Sequence, residues 1–579
     1  MPPAPPRRRP RARRARAAAV AAVAAALGGC GDDGVTVVTV SSRPAVRPVE
    51  ELAVTLSNAN ATLVERFAVD GRAFPLTFSI ETGGRDGVLE LHADAFGGDG
   101  AAVGIGDATV ELGGRTDVDL MLEPTDFVVN TVFVGDQALA FRPDAGGRQL
   151  AVGADGVITT GWTDSCSVVG RCDVFGRRFD ATGQAVTSAL AAGTAQFNFN
   201  RTNNIIGYEP SLATNAAGAT LAVWSDGGEL MAVTIDAAGA ATAITETILA
   251  SGTAPTTPAV AALPGGRFVV AWTELAMAGQ YQVRAIWLDD RAQPVLNPVT
   301  GSAAPYTAST VTLGDPAPPA VVALGDGAAH GIAWRNGSIL RGRFYTSAGM
   351  PRAAADVSIG TFGADLIGEV QLAPAGPDVA VLFSRRTSGG DADDGQLVLR
   401  RITPAGSRTG VDAIVARGVT TIRPMALAGR ADGALAVAWE ACAEDGDGAG
   451  CAIRTQLFRP NLAAVGAPAL TNTTTAGNQI EPSLAAVPGG ELFVMWSDGS
   501  AAAPDTDGFS IRARVLYPAY DDARGLGARC TSSAACGDGN VCMPGSDATP
   551  RCYRACAEDR ACLYGGSCTT IGDESGCLF

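Results

Sequence analysis

Between residues 148 and 517 the apolar positions repeat in one frame. Two short apolar runs are joined by a turn pair, and the second run ends on an aromatic: Trp162, Trp224, Trp272, Trp334, Phe383, Trp439 and Trp496. Twelve residues before each Trp stands Leu150, Leu212, Val260, Val322, Leu427 or Leu484, and Leu372 stands eleven before Phe383. The turn pair lies six and seven residues ahead of the aromatic, as in Asp155-Gly156 and Gly489-Gly490. Such a unit predicts a β-hairpin, because glycine supplies the positive φ that a tight turn needs. A third alternating run follows ("SIRARVLY", "QVRAIWL", "AIRTQLF", "QLVLRRI"), then a weaker fourth such as "GAPALTNT". The frame recurs about every 56 residues, a period that belongs to propellers and solenoids. Proline and glycine density and the β-branched runs exclude a helical solenoid. Four strands in each of seven units predict a seven-bladed β-propeller over 126–520. Two stacked β-sandwiches are the alternative. Residues 126–138, "DFVVNTVFVGDQA", are expected to supply the outermost strand of the last blade and so close the ring.

The flanks lack this frame. Residues 35–125 carry short alternating strands ("ELAVTLS", "PLTFSIE", "GVLELHADAF", "TDVDLMLEP") between glycine-rich turns, which reads as an immunoglobulin-like sandwich serving as a stalk. Residues 525–579 hold an internal duplication: Cys530, Cys536, Cys542 and Cys552, then Cys556, Cys562, Cys568 and Cys577 at nearly the same spacing. A segment so short buries too little apolar surface to fold unaided, so disulfides are expected to staple it. Each half allows three connectivities. Zinc is the rival reading; an oxidising compartment, a segment without His and wide ligand spacing speak against it. The fold class is therefore all-β throughout. The propeller repeats resemble bacterial surface propeller units with a V-x-W…G…I-x-x-R-x-F…G pattern, and the tail resembles Cys-rich modules appended to other bacterial surface proteins.

The leader decides the compartment. "RRRPRARRAR" (7–16) precedes an eleven-residue apolar stretch, "AAAVAAVAAAL", the plan of a secretory signal peptide and too short for a spanning helix. "Leu27-Gly28-Gly29-Cys30" then resembles a bacterial lipobox, which implies cleavage after residue 29, acylation of Cys30 and a tether over 30–34. Thirteen Cys leave one over once Cys166/Cys172, Cys442/Cys451 and the eight of the tail are set aside, and that one is Cys30. The expectation is an exported protein, lipid-anchored to the bacterial cell envelope at the outer membrane or cell surface. Arg13-Arg14 leaves Sec and twin-arginine export both open.

Charge narrows the partners. The 579-residue chain carries −16, every basic side chain is Arg, and loss of the seven Arg before Cys30 takes the remainder to −23. A body that acidic repels nucleic acid and anionic lipid, so the membrane is reached through the lipid on Cys30 and no nucleic-acid partner is expected.

Chemistry is sparse. Two His, His92 and His330, lie far apart in sequence and permit no His-metal cluster and no Ser-His-Asp relay. Acidic loops after the last three frame aromatics hold Asp391, Asp393 and Asp394, then Asp445 and Asp447, then Asp505 and Asp507. Carboxylates at i and i+2 can curl around calcium, the one cofactor the sequence suggests and not one it requires; solvated turns are the plainer reading. Residues placed just before the first strand of a blade crowd the channel mouth: Glu209, Thr257, Asp315, Arg423 and Glu481. They are read as a rim for a protein or glycan ligand. The alternative is a secreted carbohydrate-active enzyme with a carboxylate pair there.

Overall fold

The computed structural model describes residues 34–518, apart from 60, 83–84, 134, 140–147, 165–171, 192, 201–206, 242–245, 299, 326–328, 390–394, 420–424, 431–432 and 443–446. Beyond these it describes the backbone of 540–544, 550–554, 567–571 and 574–578. The leader and Cys30 lie outside the described residues. No helix among the described residues is long and apolar enough to cross a membrane. The chain divides into two compact units, Met1–Glu123 and Pro124–Phe579.

The first unit contains β1 (Val35–Ser42), β2 (Glu51–Asn58), β3 (Ala61–Ala68), β4 (Leu76–Glu81), β5 (Gly87–Phe96), β6 (Ala102–Leu112) and β7 (Arg115–Pro124). Alternation along β1 buries Thr36, Val38 and Val40, and the two valines meet Leu91, Ala93 and Ala95 of β5 and Leu120 and Leu122 of β7 in one core. An immunoglobulin-like sandwich is not confirmed by the strand pairing. The strands follow a single order, β3-β2-β5-β6-β7-β1-β4, with β1 parallel to β7. That sheet curls until its edges meet: Phe67 on β3 stacks on Phe78 of β4 at 5.5 Å.

In the second unit, short β8 (Phe127–Val128) and β9 (Gln137–Ala138) precede the blades. Blade 1 is β10 (Leu150–Val152), β11 (Ile158–Asp164), β12 (Val174–Phe179) and β13 (Phe197–Asn198). Blade 2 is β14 (Gly207–Thr214), β15 (Thr220–Asp226), β16 (Glu229–Ile235) and β17 (Thr247–Ser251). Blade 3 is β18 (Thr256–Leu263), β19 (Arg267–Met277), β20 (Gln280–Leu288) and β21 (Tyr306–Thr307). Blade 4 is β22 (Ala320–Ala323), β23 (His330–Asn336), β24 (Ile339–Phe344) and β25 (Val357–Thr361). Blade 5 is β26 (Leu366–Ala375), β27 (Asp378–Arg386), β28 (Gly395–Ile402) and β29 (Ala413–Val419). Blade 6 is β30 (Met425–Gly429), β31 (Leu435–Ala441), β32 (Ala452–Phe458) and β33 (Ala464–Leu470). Blade 7 is β34 (Gln479–Ala486), β35 (Leu492–Asp498) and β36 (Ser510–Leu516), completed by β8. Each innermost strand packs on the next, and β34 packs on β10, so the ring is closed and the fold is a seven-bladed β-propeller.

The aromatic frame exists to fill the seams between blades. Trp224 packs on Ala151 and Val174, Trp272 on Leu221 and Val223, and Trp334 on Val269 and Ala271. Phe383 meets Val322 and Leu340, Trp439 meets Leu382 and Leu397, and Trp496 meets Ala426 and Ala438. In every case the side chain belongs to a blade's second strand and inserts into the preceding blade. The hairpin turns follow glycine: Gly218, at φ 82°, turns the β14–β15 connection while the Asn215 side chain accepts from the N–H of Ala217 and Ala219.

The ring closes as expected, and in more detail. Phe127 and Val128 pair with Ala513 and Arg512. Phe127 sits 5.6 Å from Phe179 of blade 1 and 6.1 Å from Phe493 of blade 7, and the latter two are 5.7 Å apart. Asp126 accepts from Arg512 at 2.9 Å and from the N–H and hydroxyl groups of Thr473 and Thr474.

Cys442 and Cys451 form a disulfide across the β31–β32 connection. Cys172 is likewise disulfide-bonded, while Cys166 lies outside the described residues. In the tail, β37 (Asn540–Pro544) pairs with β38 (Pro550–Arg554), and β39 (Ser567–Ile571) with β40 (Glu574–Leu578). Cys542 stands opposite Cys552 and Cys568 opposite Cys577 in these registers. The other four tail cysteines, Cys530, Cys536, Cys556 and Cys562, lie outside the described residues.

Candidate functional site

The innermost strands share a feature that the sequence spacing only half disclosed. In β14, β18, β26 and β34 the register slips by a bulge, between Tyr208 and Ser211, Thr256 and Ala259, Ile367 and Val370, and Ile480 and Ser483. The residues opposite the position before the frame aromatic are Ser211, Ala259, Gln371 and Ser483. Two residues earlier stand Glu209, Thr257, Glu369 and Glu481. Glu209, Thr257 and Glu481 occupy one register position on blades 2, 3 and 7, while Glu369 lies in a blade-5 bulge opposite the residue after Phe383 rather than opposite the aromatic itself; all four are inside the innermost strands rather than ahead of them. Glu209, Thr257 and Glu481 carry positive φ values of 62°, 51° and 58°. For a β-branched residue such as Thr257 that conformation is a true outlier, held by the surrounding structure.

The bulges are held by hydroxyls that follow the frame aromatics. Thr163 Oγ1 accepts from the Glu209 N–H at 3.3 Å. Ser497 donates to the Glu481 carboxylate at 2.7 Å and accepts from the Leu139 N–H at 2.9 Å. Gln371 donates to the Glu369 carboxylate. In blade 1, β9 pairs with the end of β11 and β10 with its start; residues 140–147 between them lie outside the described residues. Arg148, just before β10, brings its guanidinium to 4.0 Å from Glu369 of blade 5, on the far side of the ring. Both side chains are almost wholly buried, at 8% and 1% exposure. Glu209 and Thr257 are each 2% exposed. The polar collar of the innermost strands thus comprises Glu209, Thr257 and Glu481 at their bulges and the Arg148–Glu369 pair.

Glu209, Thr257 and Glu481 were legible in the sequence. Glu369 was missed because the blade-5 frame is one residue shorter when counted from Leu372. Asp315 does not belong to the collar: it lies ahead of β22 and forms an ion pair with Arg335 at 2.7 Å. Arg423 lies outside the described residues, as do Asp391, Asp393, Asp394 and Asp445. The remaining acidic-loop residues act as local clasps. Asp447 accepts from the Ala449 N–H and from Asn472, Asp505 from the Asp507 N–H and from Asn130, and Asp507 from the Gly135 N–H. Glu440, Cys442 and Cys451 lie close enough to suggest metal ligands, but the disulfide consumes both thiols.

A second repeated device escaped notice. The words "NTVFVGDQ" (130–137) and "NTTTAGNQ" (472–479) share Asn, Thr, Gly and Gln at the same spacing. Asn130 accepts from the Ile511 N–H and donates to Asp505 and Gln137; Asn472 accepts from the Ile453 N–H and donates to Asp447 and Gln479. Gln137 reaches Asp164, and Gln479 reaches Asp498. The closing segment is thus an ordinary inter-blade loop placed at the start of the propeller.

No family model matches this chain, and no curated protein matches it. Among solved structures, a protein of unknown function from Dyadobacter fermentans aligns at 10% identity and TM-score 0.41, covering 68% of this chain and 98% of that one. A Hadza microbial sialidase aligns at 10% identity and TM-score 0.38, over 84% of this chain and 93% of its own. An endo-arabinase from Bacteroides thetaiotaomicron aligns at 11% identity and TM-score 0.27, over 52% of this chain and 90% of its own.

Proposed function

We propose that this is an exported, lipid-anchored binding protein. Cys30 carries the lipid, the curled N-terminal unit serves as a stalk, and the propeller is the platform for a protein or glycan ligand. The observation that favours binding over hydrolysis is the burial of the collar. A glycosidase needs two carboxyl groups open to the glycosidic bond, one of them with room for water. Here Glu209 and Glu369 are 2% and 3% exposed, and Glu369 already faces Arg148. The carbohydrate-active alternative keeps its support from the presence of carboxylates at Glu209 and Glu481. Two measurements test the reading. Fractionation of cells should place the native protein with membranes and Cys30→Ser in the soluble fraction. Immobilised mature protein should retain a component of a glycan or envelope-protein panel without altering it. Soluble behaviour of both forms, or a panel with no retained component, would contradict the proposal.

A further inference from the structure

Resting on the binding reading above, we propose that the seam between blades 3 and 4 takes up an aspartate or glutamate side chain of a protein ligand, held by Trp334 and Arg341. The comparison of three blades carries this. On β19 and β20, Trp272 stands opposite Arg284. The acid two residues after the tryptophan, Glu274, accepts from Trp272 Nε1 at 2.9 Å and from Gln282 at 3.1 Å, and lies 3.7 Å from Arg284 Nε. On β35 and β36, Trp496 stands opposite Arg512, and Asp498, again two residues on, accepts from Arg512 Nε at 2.8 Å. On β23 and β24, Trp334 stands opposite Arg341, but the residue two further on is Asn336, whose amide donates to the Thr312 carbonyl at 3.4 Å.

Blade 4 thus keeps both donors and lacks the acid. Trp334 is 0% exposed, and neither its Nε1 nor the buried Nε of Arg341 has a hydrogen-bond partner among the described residues. Residues directly opposed on antiparallel strands share one face with their Cβ atoms about 5 Å apart, so the two donors border the same space, as Trp272 and Arg284 do around Glu274. Trp162 and Trp224 also have no partner at Nε1, but Phe175 and Met231 stand opposite them. The unmatched cation is what sets blade 4 apart, and a guanidinium N–H out of water calls for an anionic acceptor. Arg335, beside Trp334, is already paired with Asp315 at 2.7 Å. Arg341 is only half-buried and Thr310, Val311 and Thr312 are exposed, so the seam is open to a ligand from that side. Because Trp334 itself is fully buried, the carboxylate must arrive on a slim stem, as that of Glu274 does; a uronate, whose carboxyl sits directly on a sugar ring, is too broad to follow it in.

The test uses the mature full-length protein and follows the indole N–H resonances of its tryptophans, assigned with Trp334→Phe and Trp272→Phe. Acetyl-Gly-Glu-Gly-amide should shift the Trp334 signal saturably and leave that of Trp272, already bonded to Glu274, in place. The Gln analogue of the peptide should bind about tenfold more weakly. Arg341→Gln should lose the response. Asn336→Glu, which supplies the acid from within as blade 3 does, should lose it too while raising the thermal midpoint by about 1 °C or more; it keeps the test decisive should Arg341→Gln fail to fold. An equal shift with glucuronate would overturn the protein ligand in favour of an acidic glycan, and an equal shift with phosphate would overturn it in favour of an unselective anion site. A Trp334 signal that the peptide leaves unmoved would refute the inference, and the binding-platform reading would then stand or fall on the panel capture alone.

Discussion

Asp126 and Arg512, 386 residues apart in the chain, form a buried ion pair at 2.9 Å that joins the two ends of the propeller. Arg512 also bonds Asp498 at 2.8 Å, so one guanidinium ties the closing segment to the second strand of blade 7. Asp126→Ala removes that pair and leaves the part-buried donors of Thr473 and Thr474 without their acceptor, so it should cost about 3–5 kcal/mol in denaturant unfolding, against near-wild-type stability for an exposed control such as Glu90→Ala.

The same carboxyl sets an acid limit. Burial by itself would push the Asp126 carboxyl up, but Arg512 and the donors of Thr474 and Thr473 outweigh it and hold it below the usual range. A lowered folded-state value means stabilisation that is complete above the ordinary carboxylate pKa and lost as pH falls through the folded value. The native chain should therefore lose more stability on acidification than Asp126→Asn, which has already lost that contribution. An acid unfolding series on both proteins checks the sign.

Two frame tryptophans should respond differently to the same substitution. Trp272 donates from Nε1 to Glu274 at 2.9 Å, whereas the buried Nε1 of Trp496 has no hydrogen-bond partner among the described residues. Trp272→Phe loses volume and a charge-assisted bond; Trp496→Phe loses volume alone. The first should be the more destabilising by about 1–2 kcal/mol. Equal costs would show that the Glu274 contact carries no net energy.

Cys542 opposite Cys552 and Cys568 opposite Cys577 predict two hairpin disulfides in the tail. The remaining members of each half, Cys530 with Cys536 and Cys556 with Cys562, would then pair by elimination. Peptide mapping under non-reducing conditions distinguishes this arrangement from the other connectivities.

Calcium should leave the thermal midpoint unchanged. Asp447, Asp505 and Asp507 already accept from N–H donors of their own loops and of Asn472, Asn130 and Gly135. A cation would have to displace those bonds. A midpoint that rises with millimolar calcium and falls again with chelator would return these loops to consideration as metal sites.

The propeller was legible because its repeat is a packing requirement: each seam needs one large aromatic, and the hairpin that delivers it has a fixed length. The collar was half legible for the same reason. Glu209, Thr257 and Glu481 keep the distance to Trp224, Trp272 and Trp496, but the apolar landmark in blade 5 is Leu372, one residue nearer to Phe383, and that shift hid Glu369. Arg148 carried no signal, since what makes it notable is a contact across the ring. The strand order of the N-terminal unit was not legible, because alternation reports which face a residue takes and not which strand lies beside it; the parallel pairing of β1 with β7 joins segments 80 residues apart, as Thr36 and Thr116 show. The Asn130–Gln137 and Asn472–Gln479 words were visible in the sequence, but polar loop positions fall outside a search keyed to apolar periodicity.

The most direct test of the central claim is turnover. The mature protein would be incubated with a polysaccharide panel while released reducing ends are measured, alongside Glu209→Gln and Glu481→Gln. A buried, Arg148-occupied collar predicts no release by any of the three, with retained ligand recovered intact. Release by the native protein that disappears in either variant would contradict the account and make the collar an active site.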